Sequence, residues 1–506
     1  MIEEVVVERL AYGGDGVAKL PSGKVVFVPN ACPGDKLQIE IVSETQRYDR
    51  AQIKYVLEPS QYRNPTRYCK HCDACGGCPW QFLDYEAQLA WKRTFVVDAL
   101  QRIAKIDGAE ELVSDCIPSP KQLGYRNKIE LVPTMEGGKL QLGYHVANSD
   151  AVVPIESCPL FASGYERVPK SLAGALGYLK AMDYGLYRVG IRASTITNSQ
   201  QIALWTTTGH FPRKAAVDII TSAVSCTSIT RVMQKESNKG TRPDSSEILY
   251  GADVWRERLN GITMRVSAPS FFQVNTLAAE RLVDVVINQL DIQPTDICCD
   301  LYCGTGTFTL PMAQRSSLVY AIESTSSSIR DLRRNLEEND LDAIVVGGDA
   351  GRESRDFGRV DVLLMDPPYS GIASHVYESV VSMSPERIAL VSCNPTTLAR
   401  DTISLCELGY EVRSVTPVDL FPQTYHVETV TILDKGLDYK AKVHAYITRK
   451  AEQAKAHAER QAAAHGGHGK SQSHGNQGNR DNRSAYHANL RRRRSNKYSG
   501  KYGRGN

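Results

Sequence analysis

The feature that most constrains this chain is a regular alternation of apolar runs and helix-length segments between residues 270 and 440. The runs are DICCDLYC, LVYAIES, AIVVGGD, DVLLMDPP and RIALVSCN. Strands that alternate with helices pair as a parallel sheet covered on both faces. Two later runs, YEVRSVTPVDLF and HVETVTILD, are joined by too few residues for a crossover, so they form an antiparallel hairpin. An α/β domain with five parallel strands and a closing hairpin is therefore predicted.

The other parts of the chain differ in pattern, and 506 residues are too many for one ordinary core. Residues 1–59 alternate apolar and polar positions between glycine turns, which predicts a small β-barrel of oligonucleotide-binding type. Residues 60–115 hold a cysteine cluster and one helix, predicted over 81–107. Residues 116–269 mix strand-like and helix-like segments and are predicted to form a central α/β RNA-binding domain.

The charge is unevenly distributed, although the formal net charge is only +3. From Arg449 to the end there are 14 Lys or Arg against 3 Asp or Glu, a balance of +11, so the preceding residues carry −8. Residues 445–506 are low in complexity and are predicted to be a disordered basic tail. Such a tail either adds affinity for RNA through counterion release or only improves solubility, and the sequence leaves both interpretations open.

No targeting or membrane segment is evident. The N-terminus, MIEEVVVERL, lacks the basic start and apolar core of a signal peptide, and no run of about 18 apolar residues occurs. A cytoplasmic protein without membrane contact is expected. Thirteen cysteines in a cytosolic chain are not expected to form a disulfide framework. Because four of them lie between Cys69 and Cys78, metal or redox chemistry is indicated there.

A cofactor site is predicted at the carboxyl ends of the parallel strands. The first strand runs into a tight turn, GTGT at 304–307, and the next three strands end at Glu323, Asp349 and Asp366. Ligands of open α/β sheets bind at that edge, where acids can hold ribose hydroxyls. One acid alone could be a helix cap. Four consecutive strands that each end in a glycine turn or an acid favour a nucleoside-containing cofactor. The incomplete pyrophosphate fingerprint favours S-adenosylmethionine over NAD, and thus a Rossmann-like class I methyltransferase domain.

Two motifs bear on the methyl acceptor. The sequence Asp366-Pro367-Pro368-Tyr369 resembles an element of amino-methyltransferases, which would suggest adenine methylation. However, the fifth strand ends at Cys393, and Glu428 opens the last strand. Uracil C5 becomes nucleophilic only after a thiolate adds to C6, and a base must afterwards remove the C5 proton.

The cysteine and the glutamate have ordinary interpretations when each is taken alone. A cysteine at a strand end usually fills buried space, and a glutamate usually lies on the surface. Together they favour uracil C5 methylation, with Cys393 as nucleophile and Glu428 as proton acceptor. Amino-methylation through the DPPY motif and an RNA-binding protein with a vestigial sheet remain as alternatives.

These motifs resemble those of the bacterial RNA uracil-C5 methyltransferase family, especially the enzymes that make 5-methyluridine in 23S ribosomal RNA. The resemblance covers residues 1 to about 436 through FFQVN, DLYCGTGTF, DPP, SCNPTTLARD and PVDLFPQTYHVETV. It implies the same roles for Cys393 and Glu428. The positions that the family implies for S-adenosylmethionine binding are Gln273, Tyr302, Glu323 and Asp366, with Thr307 and Asp349 lining that pocket.

The resemblance also covers the barrel and the cysteines. Residues 1–59 resemble the TRAM domain, an RNA-binding barrel. The spacing Cys69-x5-Cys75-x2-Cys78 by itself leaves zinc and iron–sulfur equally plausible. The family implies that these three bind a 4Fe-4S cluster together with distant Cys158, whereas Cys72 is no ligand.

The expected partner is RNA. The family branch with a TRAM-like domain and a cysteine cluster favours 23S ribosomal RNA over transfer RNA, and a monomer is expected. Tyr125, Arg126 and Lys128 are candidate contacts to single-stranded RNA, although an exposed strand edge is an equally good interpretation. The chain departs from the family at Tyr369, where the family usually has arginine, and an aromatic ring there could stack on the base.

Overall fold

The computed structural model describes residues 1–146, 149–235 and 245–465. The N-terminal segment forms the predicted barrel, closed in the order β1-β2-β3-β5-β4. Its core consists of the inward-facing alternate residues, such as Val5, Val7, Leu37 and Ile39. The strands are β1 (Ile2–Leu10), β2 (Gly16–Lys19), β3 (Val25–Val28), β4 (Lys36–Glu44) and β5 (Tyr48–Glu58).

An irregular segment with the clustered cysteines follows the barrel and leads into helix α1 (Tyr85–Ala99). This helix continues as one π-helical turn (Leu100–Ala104), so the predicted helix exists but starts a few residues later than position 81. Helix α1 is anchored to the C-terminal α/β domain by a fully buried ion pair between Lys92 and Asp419. The short helix α2 (Ala109–Leu112) comes next.

The central domain is a mixed α/β unit, as predicted. Its seven-stranded sheet has the order β12-β11-β10-β9-β6-β7-β8, and only β10 and β11 pair in parallel. Helices α3 (Val168–Tyr178) and α4 (Arg213–Ala223) pack against each other over one apolar core. The strands are β6 (Lys128–Glu136), β7 (Lys139–His145), β8 (Val152–Pro154), β9 (Leu186–Ala193), β10 (Gln200–Thr207), β11 (Ser228–Gln234) and β12 (Ser245–Gly251).

The hairpin β13 (Trp255–Leu259) and β14 (Ile262–Val266) lies inside the predicted central domain but packs with the next one. Its buried side chains share a core with α5 (Thr276–Leu290) and the parallel sheet. The predicted boundary at residue 269 therefore falls too late, because the hairpin buries its apolar face against the C-terminal α/β domain.

The C-terminal α/β domain has the predicted sheet, ordered β17-β16-β15-β18-β19-β21-β20. Five strands are parallel, and the hairpin β20–β21 adds two antiparallel ones. The strands are β15 (Ile297–Leu301), β16 (Leu318–Glu323), β17 (Ile344–Gly347), β18 (Val362–Met365), β19 (Arg387–Ser392), β20 (Tyr410–Val418) and β21 (Glu428–Lys435). The helices are α6 (Thr309–Ala313), α7 (Ser326–Glu338), α8 (Ala350–Glu353), α9 (Val376–Met383) and α10 (Pro395–Glu407).

The start of the predicted tail is not disordered. Helix α11 (Tyr439–His465) runs through residues 445–465, which corrects the prediction of disorder from 445 onward. The segment is rich in Ala, Lys, Glu and Gln, which are strong helix formers even where little apolar surface is buried. The remainder of the tail, 466–506, lies outside the described residues. Within the described ranges, no helix has the length and apolar character required to cross a bilayer.

Candidate active site

The carboxyl ends of the parallel strands bring most of the predicted cofactor residues to one edge of the sheet. Tyr302 follows β15, Glu323 ends β16, Asp349 follows β17 and Asp366 follows β18. Asp349 caps the N-terminus of α8 by accepting a hydrogen bond from Arg352 N, and it also contacts His375. Asp349 is therefore a helix cap, as the ordinary interpretation has it, and its place in the cofactor pocket stays a prediction.

The turn after β15 has a backbone conformation suited to close approach by a ligand. Tyr302, Gly304 and Gly306 all have positive φ, with values of 67°, 55° and 101°. A Cβ on Gly306 would lie 2.3 Å from Leu310, so this position requires glycine. The backbone N–H of Gly304 donates a 3.1 Å hydrogen bond to Glu323 Oε2, which fixes that carboxylate against the turn. A Cβ on Gly304 would meet nothing within 4 Å, so the turn faces open space.

Two carboxyl groups beside the turn, the fully buried Asp300 and the half-buried Asp366, have raised pKa values. Burial raises the pKa of Asp366 to about 7. Burial also raises the pKa of Asp300 to about 8, against a hydrogen bond from Thr309, while the charges of Asp366 and Glu323 raise it further. Asp300 Oδ2 accepts from Thr309 Oγ1 at 2.6 Å, whereas its Oδ1 has no partner among the described residues. The sequence analysis assigned no role to Asp300, although an acid inside an apolar strand is a visible signal.

The two remaining cofactor candidates do not lie at a strand end. Thr307 is half-buried in the glycine turn, next to Gly306. Gln273 is buried in the segment before α5, where its main-chain carbonyl accepts a hydrogen bond from Asn127 Nδ2. Among the described residues, no hydrogen bond joins the Gln273 side chain to the acids of the sheet edge.

Cys393 and Glu428 lie at the same edge as the cofactor candidates. Strand β21 is antiparallel to β19 and pairs Thr429 with Ser392, which places the first residue of β21 beside the last residue of β19. Asn394 caps helix α10 by accepting from Thr396 N, so the chain turns sharply after Cys393 and leaves its thiol half-buried.

The electrostatics join these two side chains to Asp366. Burial raises the pKa of the Cys393 thiol to about 12, and the nearby charges of Glu428 and then Asp366 contribute. Burial raises the pKa of Glu428 to about 8, and Asp366 adds to that shift. A half-buried thiol therefore lies near the buried carboxyl group of Glu428 and the half-buried one of Asp366, and burial raises the pKa of both carboxyl groups. A thiol and a carboxyl group at one sheet edge are the two side-chain types that nucleophilic attack and proton removal require.

The barrel also contributes a side chain to this site, which the sequence analysis did not identify. Burial raises the pKa of Tyr12, Tyr369 raises it further through its charge and a hydrogen bond, and the charges of Cys393 and Tyr425 add to the shift. The Tyr369 ring itself is 56% exposed. No local pattern signals this contact, because Tyr12 and Cys393 belong to different domains.

The cysteines predicted to bind a cluster converge on one cavity. Burial is the main cause that raises the pKa values of Cys69, Cys75 and Cys78, and Cys158 raises each of them as well. All four line the cavity. Cys72 lines it too, but its sulfur accepts a 3.2 Å hydrogen bond from Arg67. In the described part of the chain, no three His, Cys, Asp or Glu are grouped closely enough to hold a single metal ion.

The predicted RNA contacts at Tyr125 and Arg126 are wrong. Tyr125 is only 6% exposed, and its hydroxyl donates to the Pro422 carbonyl at 3.0 Å. Arg126 lines the cysteine cavity, and its Nε is buried without a hydrogen-bond partner among the described residues. Lys128 forms an ion pair with Glu130 at 2.9 Å. The segment is neither an RNA-facing strand nor an exposed edge, because it passes between the cysteine loop and the catalytic domain.

Comparison with known proteins agrees with this arrangement. The family model described as tRNA (Uracil-5-)-methyltransferase matches residues 242–436, and the TRAM domain model matches residues 2–54. An uncharacterised RNA methyltransferase of Listeria innocua is 32% identical over 443 residues, which cover 85% of this chain and 97% of that protein. An uncharacterised RNA methyltransferase of Thermotoga maritima is 31% identical, with 86% of this chain and all of that protein covered.

A solved structure with the same fold is similar over a comparable length. It is the Pyrococcus abyssi tRNA (uracil-54, C5)-methyltransferase in complex with S-adenosyl-L-homocysteine. The TM-score is 0.66 and the identity 25%, and the match covers 85% of this chain and 100% of that one. The likeness therefore extends over the barrel, the central domain and the catalytic domain together.

Proposed function

This chain belongs to the RNA uracil-C5 methyltransferase family, and we propose that it methylates C5 of a uridine through a covalent bond between Cys393 and C6. The observation that carries this proposal is the placement of Cys393 and Glu428 at one sheet edge, beside Asp366. Neither a thiol nor a second carboxyl group is needed to methylate an exocyclic amine, whereas uracil C5 requires both a nucleophile and a base.

The residues of the glycine turn fit S-adenosylmethionine. The turn at 304–306 faces open space, and the carboxylate of Glu323 is fixed beside it. Acids at strand ends bind ribose hydroxyls in folds of this type. We propose that Tyr302, Glu323 and Asp366 hold the cofactor, with Gln273, Thr307 and Asp349 around it. When bound, S-adenosylmethionine supplies a methyl group on a sulfonium cation, and that positive charge favours ionisation of nearby acidic groups.

Cys393 begins the reaction. Its thiol is half-buried, so the thiol proton can leave to solvent as the thiolate forms, although burial and the charges of Glu428 and Asp366 raise the pKa of the thiol and oppose this step. The sulfur lone pair forms the bond to C6, and the electron pair of the C5–C6 double bond moves into an enolate. The enolate carbon C5 then takes the methyl group, while the carbon–sulfur bond of the donor breaks. The product of this step is a 5-methyl ring that is still attached to Cys393.

Glu428 completes the reaction. Its carboxylate removes the proton from C5, the electron pair of that C–H bond re-forms the C5–C6 double bond, and the C6–sulfur bond breaks to release the Cys393 thiolate. A general base works best when its pKa lies near the working pH. Burial raises the pKa of Glu428 to about 8, well above an ordinary carboxyl group, which suits that role.

We propose that the substrate is a uridine in 23S ribosomal RNA and that the enzyme acts as a cytoplasmic monomer. The TRAM barrel followed by the converging cysteines supports ribosomal RNA, because that pair of features accompanies the ribosomal branch of the family. Transfer RNA is the second candidate, because the matching family model and the Pyrococcus abyssi enzyme are both named for transfer RNA.

The experiment combines purified enzyme and S-adenosylmethionine with RNA from cells that lack this gene. Ribosomal and transfer RNA are tested separately, and the nucleosides are identified by mass spectrometry. Formation of 5-methyluridine in 23S ribosomal RNA is expected. Formation in transfer RNA would overturn only the choice of substrate. Methyladenosine would instead support amino-methylation through Tyr369 and its DPPY motif, and the absence of any methylated product would contradict the proposed activity.

We also propose that Cys69, Cys75, Cys78 and Cys158 bind a 4Fe-4S cluster. The four cysteines fit such a cluster because they line one cavity, and the charges of Cys158 and Cys75 raise the pKa of Cys78. A single zinc ion would draw its sulfur ligands to about 3.8 Å from one another, given zinc–sulfur bonds of about 2.3 Å in a tetrahedron. In a cluster each cysteine binds its own iron, so the sulfurs stand further apart. The resemblance of the Cys69-x5-Cys75-x2-Cys78 spacing to that of the family favours the cluster over zinc.

A further inference from the structure

Two polar side chains share the cavity that the cysteines line, and both have buried groups that are not paired with oxygen or nitrogen. Gln81 is 1% exposed, and no oxygen or nitrogen atom among the described residues pairs with its amide. The Arg126 guanidinium is hydrogen-bonded to Tyr125, but its buried Nε has no such partner in the described part of the chain. Buried polar groups are almost always satisfied, so donors on one cavity suit a ligand with acceptor atoms.

The cysteine sulfurs are the acceptors next to these donors. Burial and the charge of Cys158 raise the pKa of Cys78, whereas a hydrogen bond from Gln81 lowers it. The charge of Arg126 also lowers the pKa values of Cys75 and Cys78, against burial. Both side chains therefore favour negative charge on the sulfur atoms of the cavity.

The backbone supplies further donors to the same set of sulfurs. His71 N donates to Cys69 Sγ at 3.4 Å. A Cβ on Gly77 would lie 3.5 Å from Cys75 Sγ, so the chain passes close to that sulfur, and its N–H donates to it. Together with Gln81, these donors reach Cys69, Cys75 and Cys78, the three cysteines of the predicted ligand spacing.

We propose that Gln81 and Arg126 donate hydrogen bonds to the cysteine sulfurs of the bound cluster and thereby raise its reduction potential. This inference rests on the proposed 4Fe-4S cluster. Reduction adds one negative charge to a buried group, and N–H donors and a cation stabilise that charge. Hydrogen bonds to the sulfurs are among the features that set the potential of such clusters. Methyl transfer itself moves no electron to the cluster, so the potential is used here as a measure of these contacts.

The test compares Gln81→Leu and Arg126→Met with the wild type, each as cluster-loaded full chain. The midpoint potential is measured by anaerobic titration with dithionite, followed by electron paramagnetic resonance. Loss of the Gln81 donor should lower the equilibrium constant for one-electron reduction by about three- to tenfold, which corresponds to about 30–60 mV. Arg126→Met should lower it at least as much, because it also removes a charge.

The matched control is Arg67→Met, which removes the same kind of charge a short distance away. Arg67 donates to the sulfur of Cys72, which is not among the proposed ligands, and it does not line the cavity. Its side chain is 49% exposed, so its charge is screened by solvent. The potential of Arg67→Met should equal that of the wild type. An equal shift in all three variants would overturn the inference, since only a general charge effect would remain.

The outcomes separate this inference from the proposed cluster. Wild-type protein without iron would refute the cluster itself. Wild type with about four irons, and both variants at its potential, would overturn the inference while the cluster stands. Iron lost from a variant with the wild-type circular dichroism spectrum would support the contact, because the donor would then be needed to retain the cluster. The two variants change different segments, so one decides if the other does not fold. Misfolding of both would overturn the inference, since the side chains would then have a structural role.

Discussion

Replacing Glu428 with Gln should stop catalysis and at the same time stabilise the protein. The carboxyl group is only 6% exposed, and burial raises its pKa from 4.5 to about 8. A group whose pKa is raised in the folded state binds protons more tightly there than in the unfolded chain. Ionisation of the carboxyl group therefore lowers the free energy of unfolding. This loss grows as the pH rises from 4.5 to about 8 and is constant above that.

The magnitude follows from that pKa. The free energy of unfolding falls by about 1.4 kcal/mol for each pH unit between 4.5 and the working pH. The loss is therefore below about 1 kcal/mol at pH 5 and about 3 kcal/mol at pH 7. Glutamine has nearly the same shape and cannot ionise. The free energy of unfolding of Glu428→Gln should therefore exceed that of the wild type by about 3 kcal/mol at pH 7 and by much less at pH 5.

The same substitution should impair catalysis although it stabilises the fold. Without a base to remove the C5 proton, turnover should fall by about a hundred- to ten-thousandfold, the usual contribution of a general base. The 5-methyl ring should then remain attached to Cys393, so a covalent complex with ordinary RNA should accumulate. Urea titrations at the two pH values measure the stability, and denaturing gels with labelled RNA measure the complex. Equal stability differences at pH 5 and pH 7, or normal turnover, would refute this reasoning.

Three further predictions concern the cysteines, the interdomain contact and the pH profile. Protein purified without oxygen should be brown with about four irons per chain. Cys158→Ala should lose the iron, whereas Cys72→Ala should keep it. Colourless protein with stoichiometric zinc would argue against the cluster. Lys92→Met should lower the free energy of unfolding in urea by about 3–5 kcal/mol, because it leaves Asp419 buried without its partner; an unchanged midpoint would contradict this. The rate of methylation should rise from pH 6 to 8, because burial raises the pKa of Glu428 to about 8 and only the carboxylate accepts a proton; a flat profile would count against its role.

The catalytic edge could be predicted from sequence because the βα alternation is periodic. Once the strands are placed, their last residues must share one edge, and Asp366 and Cys393 are brought there by the topology alone. Glu428 joins them because a short hairpin reverses the direction of the last strand. These positions follow from local patterns and from the rule that parallel strands point the same way.

Contacts between domains could not be predicted in this way. Tyr12 of the barrel packs against Phe95 and Tyr425, which lie outside it, and no periodicity in the sequence predicts such contacts. Arg126 appeared to be an RNA contact from its charge and its neighbours, yet its side chain lines the cysteine cavity. The same composition suits an exposed strand and a buried connection, so only the three-dimensional packing distinguishes them.

The covalent role of Cys393 is tested most directly by trapping the enzyme on RNA that contains 5-fluorouridine. Fluorine at C5 cannot leave as a proton does, so the bond between sulfur and C6 should persist after methyl transfer. Digestion and mass spectrometry should locate the modified nucleotide on the peptide that contains Cys393, and Cys406→Ser should retain the adduct as a matched control. An adduct that persists in Cys393→Ala, or methylation of RNA by that variant, would contradict the assignment.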